Sequence, residues 1–92
     1  MQIDYYVSEE EGRAVSWAIV EGDALTLGDF LTNEELSRES NEQTQERWET
    51  EMQLVSWCDD IAQPLPCPWR LAGEDEIARI HASQSKRLSG LL

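Results

Sequence analysis

An α+β fold is what this chain predicts, on three observations. Short runs of alternating polarity, parted by Gly-containing turns, fill the first 28 residues. A stretch free of Gly and Pro then runs from Glu34 to Ile61. A second helical pattern lies beyond a segment holding Pro64, Pro66 and Pro68. Together these predict a three-stranded antiparallel β-meander over about 2–8, 13–21 and 24–28, packed by a long helix over about 41–62 and a C-terminal helix over about 74–88. At 92 residues a single domain, 1–92, is expected.

In the first run Ile3, Tyr5 and Val7 alternate with Asp4 and Tyr6, which predicts a strand with one buried face. Glu9 to Gly12 is a turn tip, with Gly12 free to take positive φ. In the second run Val15, Trp17 and Ile19 fall on one face, and Ala14, Ser16, Ala18 and Val20 on the other. Gly22-Asp23 is a tight-turn signal before a short third strand. Phe30 and Leu31 are expected to meet the core where the chain leaves the sheet.

The central stretch carries two capping boxes, Thr32 with Glu35 and Ser40 with Gln43. The second places the start of the long helix near Asn41; the first predicts a short helical turn near 29–38. On a helix, Trp48, Met52, Leu54, Val55, Cys58 and Ile61 gather on one side, opposite an acidic back. From Ser37 to Arg47 there is no apolar residue, so nothing there supplies a core face. Arg38–Glu42 and Arg47–Glu51 are spaced for ion pairs that add only about 0.2–0.5 kcal/mol each. Glu51 points into the apolar side, so it is expected to pair with Arg47 or lie at an edge.

The three prolines at alternate positions forbid a helix and predict an extended connector, anchored by Trp69 and Leu71. In the last helix Glu74, Asp75 and Glu76 suit the positive N-terminal end, and Lys86 and Arg87 the negative C-terminal end. Ile77, Ile80, His81 and Leu88 share a face, and Gly90 is the expected stop.

Charge narrows the function. The net charge is −12, and residues 1–62 alone hold sixteen acids against three bases. Direct binding to nucleic acid or to an anionic membrane is disfavoured by repulsion, and a basic partner is favoured. No signal-peptide pattern and no membrane-span pattern is present, so a cytoplasmic location with reduced Cys58 and Cys67 is expected. A monomer and a homodimer are equally open.

Chemistry-bearing motifs are scarce. Cys58, Cys67 and His81 lack the paired spacing of a structural zinc site, so no metal and no cofactor is expected. Thiol catalysis by Cys58 or Cys67 with His81 has no supporting motif, and no phosphate-binding loop is present, so the chain is read as non-enzymatic.

The acidic row is the candidate site. Glu35, Glu39, Glu42, Glu46 and Glu49, spaced four, three, four and three, would fall within roughly 80° on one continuous helix and rise about 5–6 Å apart. That spacing is broadly similar to the separation of phosphates along one DNA strand. The function expected is therefore non-catalytic binding of a basic, nucleic-acid-binding protein by an acidic inhibitor that mimics nucleic acid. Asp59, Asp60 and an exposed Trp57 are added as contacts. In size and charge the chain resembles small inhibitors encoded by phages and mobile elements, a resemblance of composition that covers no motif. The alternative is an antitoxin-like or regulatory subunit that binds through Trp57, the Pro64–Trp69 connector and the C-terminal helix.

Overall fold

The computed structural model describes residues 2–90, with side chains described as far as Gln84. Strands β1 (Ile3–Glu10), β2 (Arg13–Glu21) and β3 (Ala24–Asp29) are followed by helices α1 (Asn33–Arg38) and α2 (Asn41–Asp59). A short strand β4 (Trp69–Leu71) and helix α3 (Glu74–Gly90) complete the order. The class is α+β, with an antiparallel sheet.

The two hairpins follow from their turn residues. Glu10 pairs with Arg13 across Glu11 and Gly12, both at positive φ, the pattern of a type I′ turn. Glu21 pairs with Ala24 across Gly22, at φ 60°, and Asp23. The sheet has four strands rather than the three expected, in the order β3-β2-β1-β4. The fourth comes from the end of the proline connector: Trp69, Arg70 and Leu71 pair with Ser8, Val7 and Tyr6. The connector thus returns the chain to a sheet edge, and only its last residues lie beyond the prolines that deny a strand its donors.

Both faces of the sheet are buried, where one was expected. On one face Tyr6, Ala18 and Val20 pack with Leu54 of α2 and Trp69. On the other, Val7, Trp17 and Ile19 pack with Ile80 of α3. A bulge explains a second departure. Ser8 pairs with Ser16 but Glu9 pairs with Ala14, so Val15 is the extra residue. The shift moves Ala14 into the cluster with Trp17 and Ile19. Ile3 and Leu71, both expected as core, are 43% and 63% exposed. Ile3 is the first residue of β1, before its pairing with β4 begins, and Leu71 is the last residue of the edge strand β4.

α3 ends at Gly90, the last described residue, two residues past the expected boundary. Its expected Leu88 contact and its Lys86 and Arg87 side chains lie outside the described side chains. Ile80 is fully buried, while His81 is exposed, with Nε2 3.2 Å from the Tyr5 hydroxyl.

Gly28 is fixed by close approach. It faces Trp17 in the β2–β3 register, and a Cβ there would fall inside the indole's contact shell. Gly28→Ala should destabilise the protein by about 1–3 kcal/mol through overpacking, read as a lowered urea midpoint.

Candidate protein-binding surface

The central segment is two helices. Both expected capping boxes form: Glu35 N–H donates to Thr32 and Gln43 N–H to Ser40, with each N3 side chain reaching back to its cap. Between them Glu39 and Ser40 take extended backbone, at ψ 135° and 160°. Two adjacent extended residues turn the chain, so the row of five glutamates does not lie on one helix. Glu35 is on α1, Glu39 caps its C-terminal end, and only Glu42, Glu46 and Glu49 share α2.

The first two are also engaged. Arg13 donates to Glu35 at 2.7 Å. The Thr32 backbone N–H and Arg13 together hold the Glu35 carboxyl down to about 2. Glu39 pairs with Arg47, and these side chains are only 11% and 13% exposed. Arg47 Nη1 also donates to Asp29 Oδ1 at 2.7 Å, and the Ser16 hydroxyl lies 3.2 Å from the same oxygen. One guanidinium therefore joins the α1–α2 corner to the end of β3. The pairs expected from spacing do not form: Arg38 meets Glu34, and Arg47 reaches away from Glu51 to Asp29 and Glu39. Glu51 is half-buried without an ion-pair partner among the described residues. Burial raises its carboxyl, Asp29 adds to the shift, and Arg47 opposes it.

α2 is also rotated from the expected face. Leu54 is fully buried, Trp57 and Cys58 are partly buried against the same cluster, and Arg47 and Glu51 lie on that side too. Trp48, Met52 and Ile61, expected as core, are exposed. The sequence pattern counted apolar residues, whereas the sheet's end offers Asp29 as a partner for an arginine. Trp57 was expected to be an exposed anchor. Its ring meets Tyr6 edge-on at 5.5 Å, and its Nε1 donates to the Gln63 carbonyl at 2.7 Å. Trp57 therefore pins the start of the connector to the core. Asp59 ends α2 and Asp60 caps it, both exposed.

The connector is tied at its far end as well. Trp69 is buried, and its Nε1 donates to the Thr50 carbonyl of α2 at 2.9 Å. Arg70 Nε donates to Glu9 at 2.7 Å, while its two Nη groups grip Glu76 at 2.7 and 2.8 Å. These contacts lower the Glu76 carboxyl and lock β4 to β1 and α3. Cys58 and His81 pack on opposite faces of the sheet, since Cys58 joins the Tyr6 cluster and His81 contacts Tyr5. Burial raises the Cys58 thiol, which disfavours the thiolate. Among the described residues no group of three or more His, Cys, Asp or Glu is placed to hold a metal ion. No described helix is long and apolar enough to cross a membrane.

Comparison with protein-family models, curated proteins and solved structures finds no match to this chain.

Arg47→Met leaves Glu39 and Asp29 facing each other without their cation. It should cost about 3 kcal/mol by urea unfolding, the low end for a broken buried pair because Asp29 is partly solvated. Glu51 gives a pH-dependent contrast. Its raised carboxyl favours the folded state fully only below the ordinary value of 4.5, and that support is lost as pH rises through the raised value. Glu51→Gln should thus exceed the parent in stability at neutral pH, and the gap should close as pH falls to about 4. Urea midpoints at the two pH values measure it.

Proposed function

We propose that this protein is a non-catalytic binding protein whose acidic surface occupies a basic surface on a nucleic-acid-binding protein. One observation carries the reading: among the described residues the fold uses its own cations internally. Arg13, Arg38, Arg47 and Arg70 are each ion-paired with Glu35, Glu34, Asp29 and Glu39, and Glu9 and Glu76 respectively. Arg79 lies over the Phe30 ring at 4.4 Å. Glu42, Glu46 and Glu49 are exposed on one side of α2 and make no ion pair among the described residues. They share a face because their spacing of four and three follows the helical turn.

The row is shorter than the sequence suggested, and so is the mimicry. Three glutamates seven residue steps apart, from Glu42 to Glu49, span about 10 Å at about 1.5 Å per residue. That length matches a few phosphates, not a duplex groove. Blocking a compact basic patch is what such a face suits. Steering by the net charge of −12 would speed the encounter, and release of the partner's counterions would strengthen it.

The test begins by capturing the partner from native-host lysate on the immobilised protein. The expected partner is basic, loses its nucleic acid when this protein is added, and is released by raising salt from about 50 to about 200 mM. Because Glu42, Glu46 and Glu49 are exposed and unpaired, the triple change to Lys should leave the melting curve cooperative while capture is lost. A partner held equally at high salt, or captured equally by the triple variant, refutes the reading.

A further inference from the structure

We propose that α2 docks a cationic amphipathic segment of its partner, with apolar side chains seated on Trp48, Met52 and Val55 and basic ones against the acids around them. This rests on the acidic binding role above and names what that surface takes.

The apolar stripe comes from spacing and exposure. Trp48, Met52 and Val55 stand at i, i+4 and i+7, on one line along the helix. Trp48 is 60% and Met52 44% exposed, and Val55 is half-buried. The sheet is covered through Leu54, about 120° round α2 from Trp48, and Trp48 and Met52 are left facing solvent. An exposed Trp and Met in line form the kind of apolar patch that marks an interaction surface, and Trp is the residue type most enriched at binding hot spots.

The stripe runs into a hollow. Between the C-terminal end of α2 and the β2–β3 turn, Val55, Ile61, Val20 and Leu25 line a depression of about 360 Å³. The charged residues on its wall are Asp23 and Asp59, and no base among the described residues lines it. Glu49 and Glu42 stand about 100° and about 120° round the helix from Trp48, with Glu46 farther round.

The end of the helix adds negative potential. α2 has no basic residue in its last turn, and Asp59 and Asp60 stand at the end whose free carbonyls already carry partial negative charge. An apolar floor, an acidic rim and a negative helix end are together complementary to an apolar line flanked by Lys or Arg. A second copy of this chain fits badly. It would bring the same glutamates against themselves, with −12 on each side. Helix-in-groove recognition supplies the binding mode.

The test uses two probes of equal charge: a helical peptide with one leucine face and one lysine face, and an oligolysine. The amphipathic peptide should bind at least tenfold tighter, and it should shift the Trp48 indole N–H resonance, assigned from Trp48→Phe. Trp48→Ala with Met52→Ala should remove that tenfold advantage, about 1.4 kcal/mol, while oligolysine binding stays unchanged. Both residues are exposed, so the double variant should keep its far-ultraviolet circular dichroism. Equal affinity for the two probes, or an unmoved Trp48 resonance, overturns the docking site and leaves the acidic role standing. Failure of both probes to bind at low salt overturns the acidic role itself. Self-association that shifts Trp48 with concentration and is lost in the double variant also overturns the proposal, because the occupant would be a second copy.

Discussion

Arg47 carries the architecture at the place where hydrophobic packing is least available. The segment from Ser37 to Arg47 has no apolar side chain, so burial of apolar area cannot hold it to the sheet. Its fixed points are the two capping boxes and the guanidinium that reaches Glu39 and Asp29. The caps decide where each helix begins. The ion pairs decide the angle at which α2 leaves α1, because Glu39 is the cap of one helix and Arg47 belongs to the other. An arginine suits this post better than a lysine, since its planar fork can meet two carboxylates at once. The site is not fully satisfied: Arg47 Nε is buried without a partner among the described residues. A buried ion pair of this kind contributes less net stability than its geometry implies, and its larger effect is on which arrangement forms.

That corner also sets which side of α2 meets the sheet. With Arg47 turned toward Asp29, Leu54, Trp57 and Cys58 follow it inward, and Trp48 and Met52 are carried outward. The two alternatives differ in what they leave exposed. Burying Trp48 and Met52 would have hidden more apolar area, but it would have stranded Arg47 in solvent and left Asp29 and Glu39 facing each other. The choice made exposes a large indole, which is the kind of departure from best packing that recognition surfaces show. The second core, under α3, is independent of this choice. It rests on Trp17 lying over Gly28 and on Ile80, with Arg70 clamping Glu9 and Glu76 alongside.

Local signals were legible in the sequence and long-range ones were not. Both hairpin turns and both helix starts could be read because each is decided by residues within four positions of one another. The fourth strand could not, since Trp69–Leu71 pairs with residues about sixty positions earlier and three residues carry no alternation to read. The Val15 bulge was hidden for a related reason: strict alternation assumes a register that only the partner strand can reveal. Two covered faces were foreshadowed in β2, where apolar residues occupy both parities, a pattern that belongs to strands buried on each side. For the candidate surface, periodicity lays the acidic row on one helix, while Ser40 and Gln43 announce a new helix start inside it. That local stop signal outranks the periodicity, and it separates Glu35 and Glu39 from the glutamates of α2. Trp57 turns inward where its helical angle alone predicts exposure, because the angle of a residue says which side it is on but not which side is buried.

The link between the fold and the proposed function lies in how few cations the first two-thirds of the chain contains. Residues 1–62 hold three arginines, and all three are committed: Arg13 to the first cap, Arg38 within α1, Arg47 to the corner. Each pairing neutralises an acid that already has a structural place, and Glu42, Glu46 and Glu49 are left exposed with no ion pair among the described residues. The outward side of α2 receives this excess, and its C-terminal end receives Asp59 and Asp60 where a base would ordinarily stabilise a helix. A sequence under selection for stability alone has an easy remedy in one lysine near that end. The structure keeps the unfavourable charges beside an exposed tryptophan and an acid-rimmed hollow. Electrostatic repulsion of this sort is relieved when a cation arrives, so the same repulsion that weakens the free helix would add to the affinity of the basic partner proposed above.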